Sequence, residues 1–226
     1  MGLRQPAAIA LILLVLAATL GMAARLYIPN ALGQGLFVLT RIGMIVLPIV
    51  WWRRINQGQI QVAWPTRRDA GVGLGLGLVM MAVIAIAYWT LGRQWIDPEV
   101  VRAAVAPIGL LDPKLFILSA LYFTFINAFL EEYIWRWFVY RNCAVWVSGI
   151  SAIALSALLF TLHHIIALAA YTDSLAVVVI GSLGVFLAGT VWSSVYLAYQ
   201  SLWVCTISHV LADAAIALIG WQLLFG

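Results

Sequence analysis

The sequence predicts an all-α polytopic transmembrane helical bundle of about seven spans, with its polar core in the last four. Three observations predict it. First, 65% of the 226 residues are apolar and only 9% are charged, against about 25% charged in soluble domains. Lipid must therefore be the solvent for much of the surface. Second, the chain divides into apolar stretches close to the roughly 20 residues that a bilayer requires. Third, basic residues crowd into short connections, where they set orientation. The formal charge of +4 does not imply nucleic acid, because no basic cluster alternates with aromatic residues in the manner of a nucleic-acid groove.

The expected spans are about 7–28, 31–52, 70–91, 114–140, 148–170, 174–198 and 201–225. The first follows a single basic residue, Arg4. Its apolar run is longer than the core of a cleaved signal peptide, so it reads as a retained helix. The second span leads into a connection holding Arg53, Arg54, Arg67 and Arg68, opposed only by Asp69. That connection should be cytoplasmic. The third span opens with Gly71, Gly73, Gly75 and Gly77. Position 76 is Leu, so this is no dinucleotide loop; the pairs Gly71/Gly75 and Gly73/Gly77 have the small-xxx-small spacing of close helix contacts. The third connection, about 92–113, carries Asp97, Glu99 and Asp112 beside Arg93 and Arg102, with three prolines, and should face the opposite side. Arg141, after the fourth span, returns to the cytoplasm. These assignments put the N-terminus in the cytoplasm of what reads as a bacterial inner-membrane protein.

No proline occurs after Pro113, so the last four spans are expected as unbroken helices. Cys143 and Cys205 form no CxxC and read as packing residues. The chain thus divides into residues 1–113, with three helices and their loops, and residues 114–226, which hold the unusual polar groups.

Those groups carry the chemistry. All three histidines lie inside apolar spans of the second half, with Glu131, Glu132, Arg136 and Asp213. One charge at a helix centre costs roughly 2.5–3.5 kcal/mol on insertion scales, so such residues mark function by default. Residues four apart share a helix face. Glu132 and Arg136 are then neighbours able to pair, while Glu131 lies about 100° round the helix, above Asn127. One carboxylate can be neutralised and the other kept available as a base. Phe160 can pack beside His164, and His163 points about 100° away from it. His209 and Asp213 share a face, so Asp213 can fix the imidazole tautomer and leave the other nitrogen to a substrate. At 1.5 Å per residue, Glu131 and His209 lie roughly 13 and 12 Å from the cytoplasmic side and His164 roughly 20 Å. With span boundaries accurate to a few residues, the three can meet at one level in the cytoplasmic half.

Glu131-Glu132-xxx-Arg136, Phe160-xxx-His164 and His209-xxx-Asp213 resemble, in order and spacing, the three motifs of the CPBP or Abi family, the intramembrane proteases related to the type II CAAX prenyl endopeptidase. The resemblance covers roughly residues 115–225. It implies a catalytic membrane core over 114–226 and an endopeptidase that cleaves near the C-terminus of membrane-associated or lipidated protein substrates. By resemblance Glu131 activates water with help from His164, Glu132 supports it, and His209 with Asp213 stabilises the oxyanion. Arg136 would be structural. The chain departs from the family pattern at Trp137, where Gly often follows the Arg, and at Asp213, where Asn is common; His163 is additional.

Two versions of the chemistry follow. In one, Glu131 acts as a general base without metal. In the other, Glu131, His164 and His209 hold a divalent metal such as zinc, a ligand set known from catalytic zinc sites, although no HExxH supports it. Ser182, in Gly181-Ser182-Leu183-Gly184, lies on a span without motifs and is a poor nucleophile candidate. Competing classes are a transporter or proton relay, which would bring broken helices and inverted repeats, and a bacteriocin-immunity-type binding protein, which would not need all three motifs.

Overall fold

Hydrocarbon offers the backbone no hydrogen-bond partners, so a spanning chain must satisfy its own amides and carbonyls. The computed structural model describes residues 4–28, 30–58 and 63–226, and among them there is no strand. Among the described residues, seven helices are long and apolar enough to cross a membrane. They are α1 (Arg4–Tyr27), α2 (Ala31–Arg54), α3 (Arg67–Trp95), α5 (Pro113–Trp146), α6 (Ile150–Tyr171), α7 (Leu175–Tyr199) and α8 (Leu202–Phe225). Each expected span coincides with one of them. The protein is an integral membrane protein of the all-α class.

The helix starts follow local chemistry. Asn30 caps α2, its side chain accepting from the amides of Leu32 and Gly33. Thr66 and Asp69 form a reciprocal capping box on α3, which occupies the one acid set against the arginines of that connection. Asp97 and Asp112 each cap a helix that begins with proline, a residue whose missing N–H is harmless in the first turn. The first of these is a short helix, α4 (Pro98–Val105), within the connection read above only as a loop.

Helix α5 is continuous, as its lack of interior proline predicted, but it is not uniformly α. Tyr122–Asn127 and Tyr133–Tyr140 are π-helical, and the α-helical turn Ala128–Glu132 lies between them. A π turn bonds across five residues and shifts every later side chain round the axis. Side chains take up carbonyls in the second π segment: Ser156 Oγ donates to the Trp135 carbonyl at 3.3 Å, and Asn142 Nδ2 to that of Phe138 at 2.9 Å. The acidic pair thus sits in an α turn between two irregular segments. The four-residue spacing from Glu132 to Arg136 runs into the second of them, so the shared-face rule no longer applies there.

The chain packs as two compact units that interleave along the sequence, and the division falls within α5 after Glu132. One unit takes residues 1–63, Tyr133–Ala167 and Ser182–Ala198. In it α1 lies against α2, Gly21 lies against Thr40, and Leu14, Phe138, Phe160 and Trp192 are buried. The other unit takes Trp64–Glu132, Leu168–Gly181 and Tyr199–Gly226. Its main contact runs between α3 and α8. A Cβ on Gly77 would lie 2.6 Å from Leu211 Cδ1 and 3.0 Å from Ser208 Cα, and one on Gly73 would lie 2.9 Å from Ile207 Cβ. Gly71 and Gly75 meet nothing within 4 Å. Only one of the two glycine pairs is therefore a helix contact, and it seats the turn of α8 next to His209. Cys143 and Cys205 are buried free thiols.

Candidate active site

Two helices of the second unit bring four ionisable side chains together. Glu131 and Glu132 project from the α turn of α5, and His209 and Asp213 from α8. Glu132 is 0% exposed, Glu131 and His209 are each 4% exposed, and Asp213 is 6% exposed. Asn127 Nδ2 donates to Glu131 Oε1 at 3.0 Å. That contact between neighbouring turns leaves Glu131 Oε2 directed to His209, 3.8 Å from Nε2. His209 Nδ1 lies 2.7 Å from Glu132 Oε1, the distance of a charge-assisted hydrogen bond. Nε2 lies 3.5 Å from Asp213 Oδ1.

The imidazole is therefore oriented differently from the expectation. Asp213 shares its face, as the four-residue spacing required, but the closest carboxylate is Glu132, on another helix. With Nδ1–H donating to Glu132, the proton on that nitrogen is held from α5, and Asp213 stands beside the outward nitrogen. The reason is geometric. Two side chains one helical turn apart can approach, but a short, straight hydrogen bond to a rigid ring needs an acceptor in the ring plane, and the facing helix supplies it.

The other unit holds Arg136, Phe160, His163 and His164 in an aromatic sheath. Arg136 is 1% exposed, with its guanidinium 4.5 Å from the Phe160 ring centroid and 5.0 Å from that of Trp192. His164 packs against Phe160 at 4.5 Å between centroids, as its spacing predicted, and its Nδ1 lies 3.0 Å from the Phe160 carbonyl. His163 is buried and stacked on Trp135, 5.3 Å away and 7° from parallel. The hydroxyl of Ser182 has no hydrogen-bond partner among the described residues, so no base activates it there.

Three features escaped the sequence reading. Arg41 sits in the middle of α2, where an ionisable group is costly, and it lines a small cavity with Thr40 and His163; the rule that singled out the histidines would have found it. The π turns of α5 have no such signal. An apolar cleft of about 540 Å³ runs between α5 and α8 beside the acidic cluster, lined by Phe125, Phe129, Trp203, Ile207 and Leu211 among others. Thr206 carries the one hydroxyl in its lining.

No curated protein and no solved structure matches this chain. The family model described as Rce1-like, type II CAAX prenyl endopeptidase Rce1-like, matches residues 113–215. The match spans α5 to most of α8 and includes all three motifs, in agreement with the CPBP resemblance. It supports a CAAX-type endopeptidase activity in general, and with it a protein or peptide substrate. Residues 113–215 of this membrane protein, which carry every motif residue from Glu131 to Asp213, are thus similar to the Rce1-like type II CAAX prenyl endopeptidases.

Proposed function

We propose that this chain is an intramembrane endopeptidase that hydrolyses peptide bonds near the C-terminus of membrane-associated or lipidated substrates, with Glu131 activating the attacking water. The observation that carries the reading is the buried cluster of Glu131, Glu132, His209 and Asp213 on two membrane-crossing helices. Amide hydrolysis needs a base, a donor for the oxyanion and a proton for the leaving amine. Glu131 supplies the first. Asn127 holds one of its oxygens, and the other takes a proton from water. The hydroxide attacks the carbonyl carbon, and His209, carrying a proton on both ring nitrogens as an imidazolium among three carboxylates, donates from Nε2 to the developing oxyanion. Collapse of that intermediate breaks the C–N bond, and Glu131 returns its proton to the departing amine.

Glu132 fixes the proton on His209 Nδ1, in the role of the third group that orients a catalytic histidine. Asp213 stands against Nε2 and holds the ring between two helices. His164 assists Glu131, a role carried by the Phe160-xxx-His164 motif. Charges act more strongly in such a low-dielectric setting than in water. The arginines at positions 53, 54, 67 and 68 support a cytoplasmic-side location for this chemistry.

Purified Glu131→Gln protein should keep its fold and lose cleavage of an apolar C-terminal peptide. Full activity in that variant removes the base and the reading with it. The metal-free mechanism also predicts activity that survives chelation; a stoichiometric divalent metal, with loss of activity on its removal, would replace it with the zinc version built on Glu131, His164 and His209.

A further inference from the structure

The cleft between α5 and α8 has a feature that packing alone does not call for. Threonines inside membrane helices satisfy their hydroxyls on the preceding turn, and in this chain Thr161 donates to the Ala157 carbonyl at 2.8 Å, Thr190 to Phe186 at 2.8 Å and Thr90 to Ile86 at 2.7 Å. Thr206 does not. It is 6% exposed, and its buried hydroxyl has no hydrogen-bond partner among the described residues. A hydroxyl left unpaired in an apolar setting is costly, and valine would fill the same space without that cost.

Its position is specific. Thr206, His209 and Asp213 are three and seven residues apart, the spacing of one helical stripe. Thr206 therefore stands where the cleft face of α8 meets the face carrying the imidazole. Helical threonine has two accessible χ1 wells, and a turn from one to another exchanges its hydroxyl and methyl. The remaining lining side chains are large and hydrocarbon-rich, including Phe125, Phe129, Trp203 and Ile207. The volume of about 540 Å³ is in the range of small-ligand sites.

We infer that this cleft binds an extended apolar segment of the substrate peptide, with the Thr206 hydroxyl hydrogen-bonded to one of its backbone amide groups. The inference rests on the endopeptidase reading and names how that site would hold its substrate. A hydrocarbon chain would fill the cleft but leave the hydroxyl unpaired. A peptide does both, because its side chains are apolar and its main chain carries donors and acceptors. Thr206 is then a substrate-positioning residue, one helical turn from the oxyanion donor.

The experiment uses full-length protein in lipid nanodiscs and a fluorogenic peptide with an apolar C-terminal segment, made with and without a prenylated cysteine. A photoreactive phenylalanine in that segment should label Phe129, Trp203 or Ile207 in the Glu131→Gln protein, with labelling reduced by unlabelled peptide. In the active enzyme Thr206→Val should lower kcat/KM about five- to tenfold, the effect of one neutral hydrogen bond. Thr206→Ser should restore it, and thermal stability should not fall in either variant. Labelling confined to other residues, or Thr206→Val within twofold of the parent, overturns the inference and leaves the endopeptidase reading standing. Labelling of the cleft by a photoreactive acyl lipid that peptide does not displace also overturns it, in favour of bilayer hydrocarbon. Cleavage by Glu131→Gln at the parent rate would instead remove the function itself.

Discussion

The two sets of motif residues are stabilised in opposite ways. Glu131, Glu132, His209 and Asp213 are held by charge, with an imidazole between three carboxylates and one contact at 2.7 Å. His163, His164 and Arg136 are held by rings: Trp135, Phe160 and Trp192 cover them. Both sets are polar groups removed from water in helices that cross a membrane. The first is suited to move a proton, because its partners are charged acceptors at hydrogen-bond or ion-pair distance. Stacked rings keep the second set in place at little electrostatic cost, and His164 is the member of it given a chemical role above. Burial alone therefore says little about role; the two sets differ in whether charge or ring packing holds them.

The comparison can be broken by substitutions that keep shape and change charge, or the reverse. The largest effect is expected for Glu131→Gln, which keeps the hydrogen bond to Asn127 and removes the base; the cleavage rate should fall about 10²–10⁴-fold, measured by peptide turnover at matched protein concentration. Glu132→Gln comes next. It leaves His209 an acceptor but not an anion, and the loss of one charge-assisted hydrogen bond corresponds to roughly 10–100-fold. An effect on KM alone would show that Glu132 binds substrate rather than orienting the ring.

Gly77→Val tests the seat of the cluster rather than its chemistry. Its Cβ must displace Leu211 or Ser208, and overpacking of this kind costs about 1–3 kcal/mol, read as a lower thermal midpoint in detergent. Gly75→Val, on the open side of the same helix, is the control and should change little. His163→Phe should be the mildest. It keeps a flat ring against Trp135, and volume-conserving swaps cost less than about 1.5 kcal/mol. A loss of activity as large as that from Glu132→Gln would abolish the distinction and give His163 a chemical role.

Much of this was legible without coordinates. The seven spans were, because transfer into hydrocarbon depends on composition and length. The contact of Asn127 with Glu131, of Phe160 with His164 and of His209 with Asp213 followed from four-residue spacing. The partner of His209 Nδ1 did not, because Glu132 is 77 residues away in sequence and nothing local relates the two. The π segments of α5 were equally hidden: neither Pro nor Gly marks them, and they change the register without interrupting the helix. The glycine pattern announced a close approach but not which of two alternating pairs made it. Arg41 is a different case, since its placement in a span was visible and went unread.

The sequence by itself determined that this protein lives in a membrane, how many times it can cross, and which residues are too polar for hydrocarbon unless they have partners. Those properties are sums over single residues. Tertiary structure decided which carboxylate orients His209, which glycines seat α8, and that a cleft with one unsatisfied hydroxyl lies beside the acids. Hydrogen bonds and close packing change over fractions of an ångström, and only the packed helices fix distances on that scale.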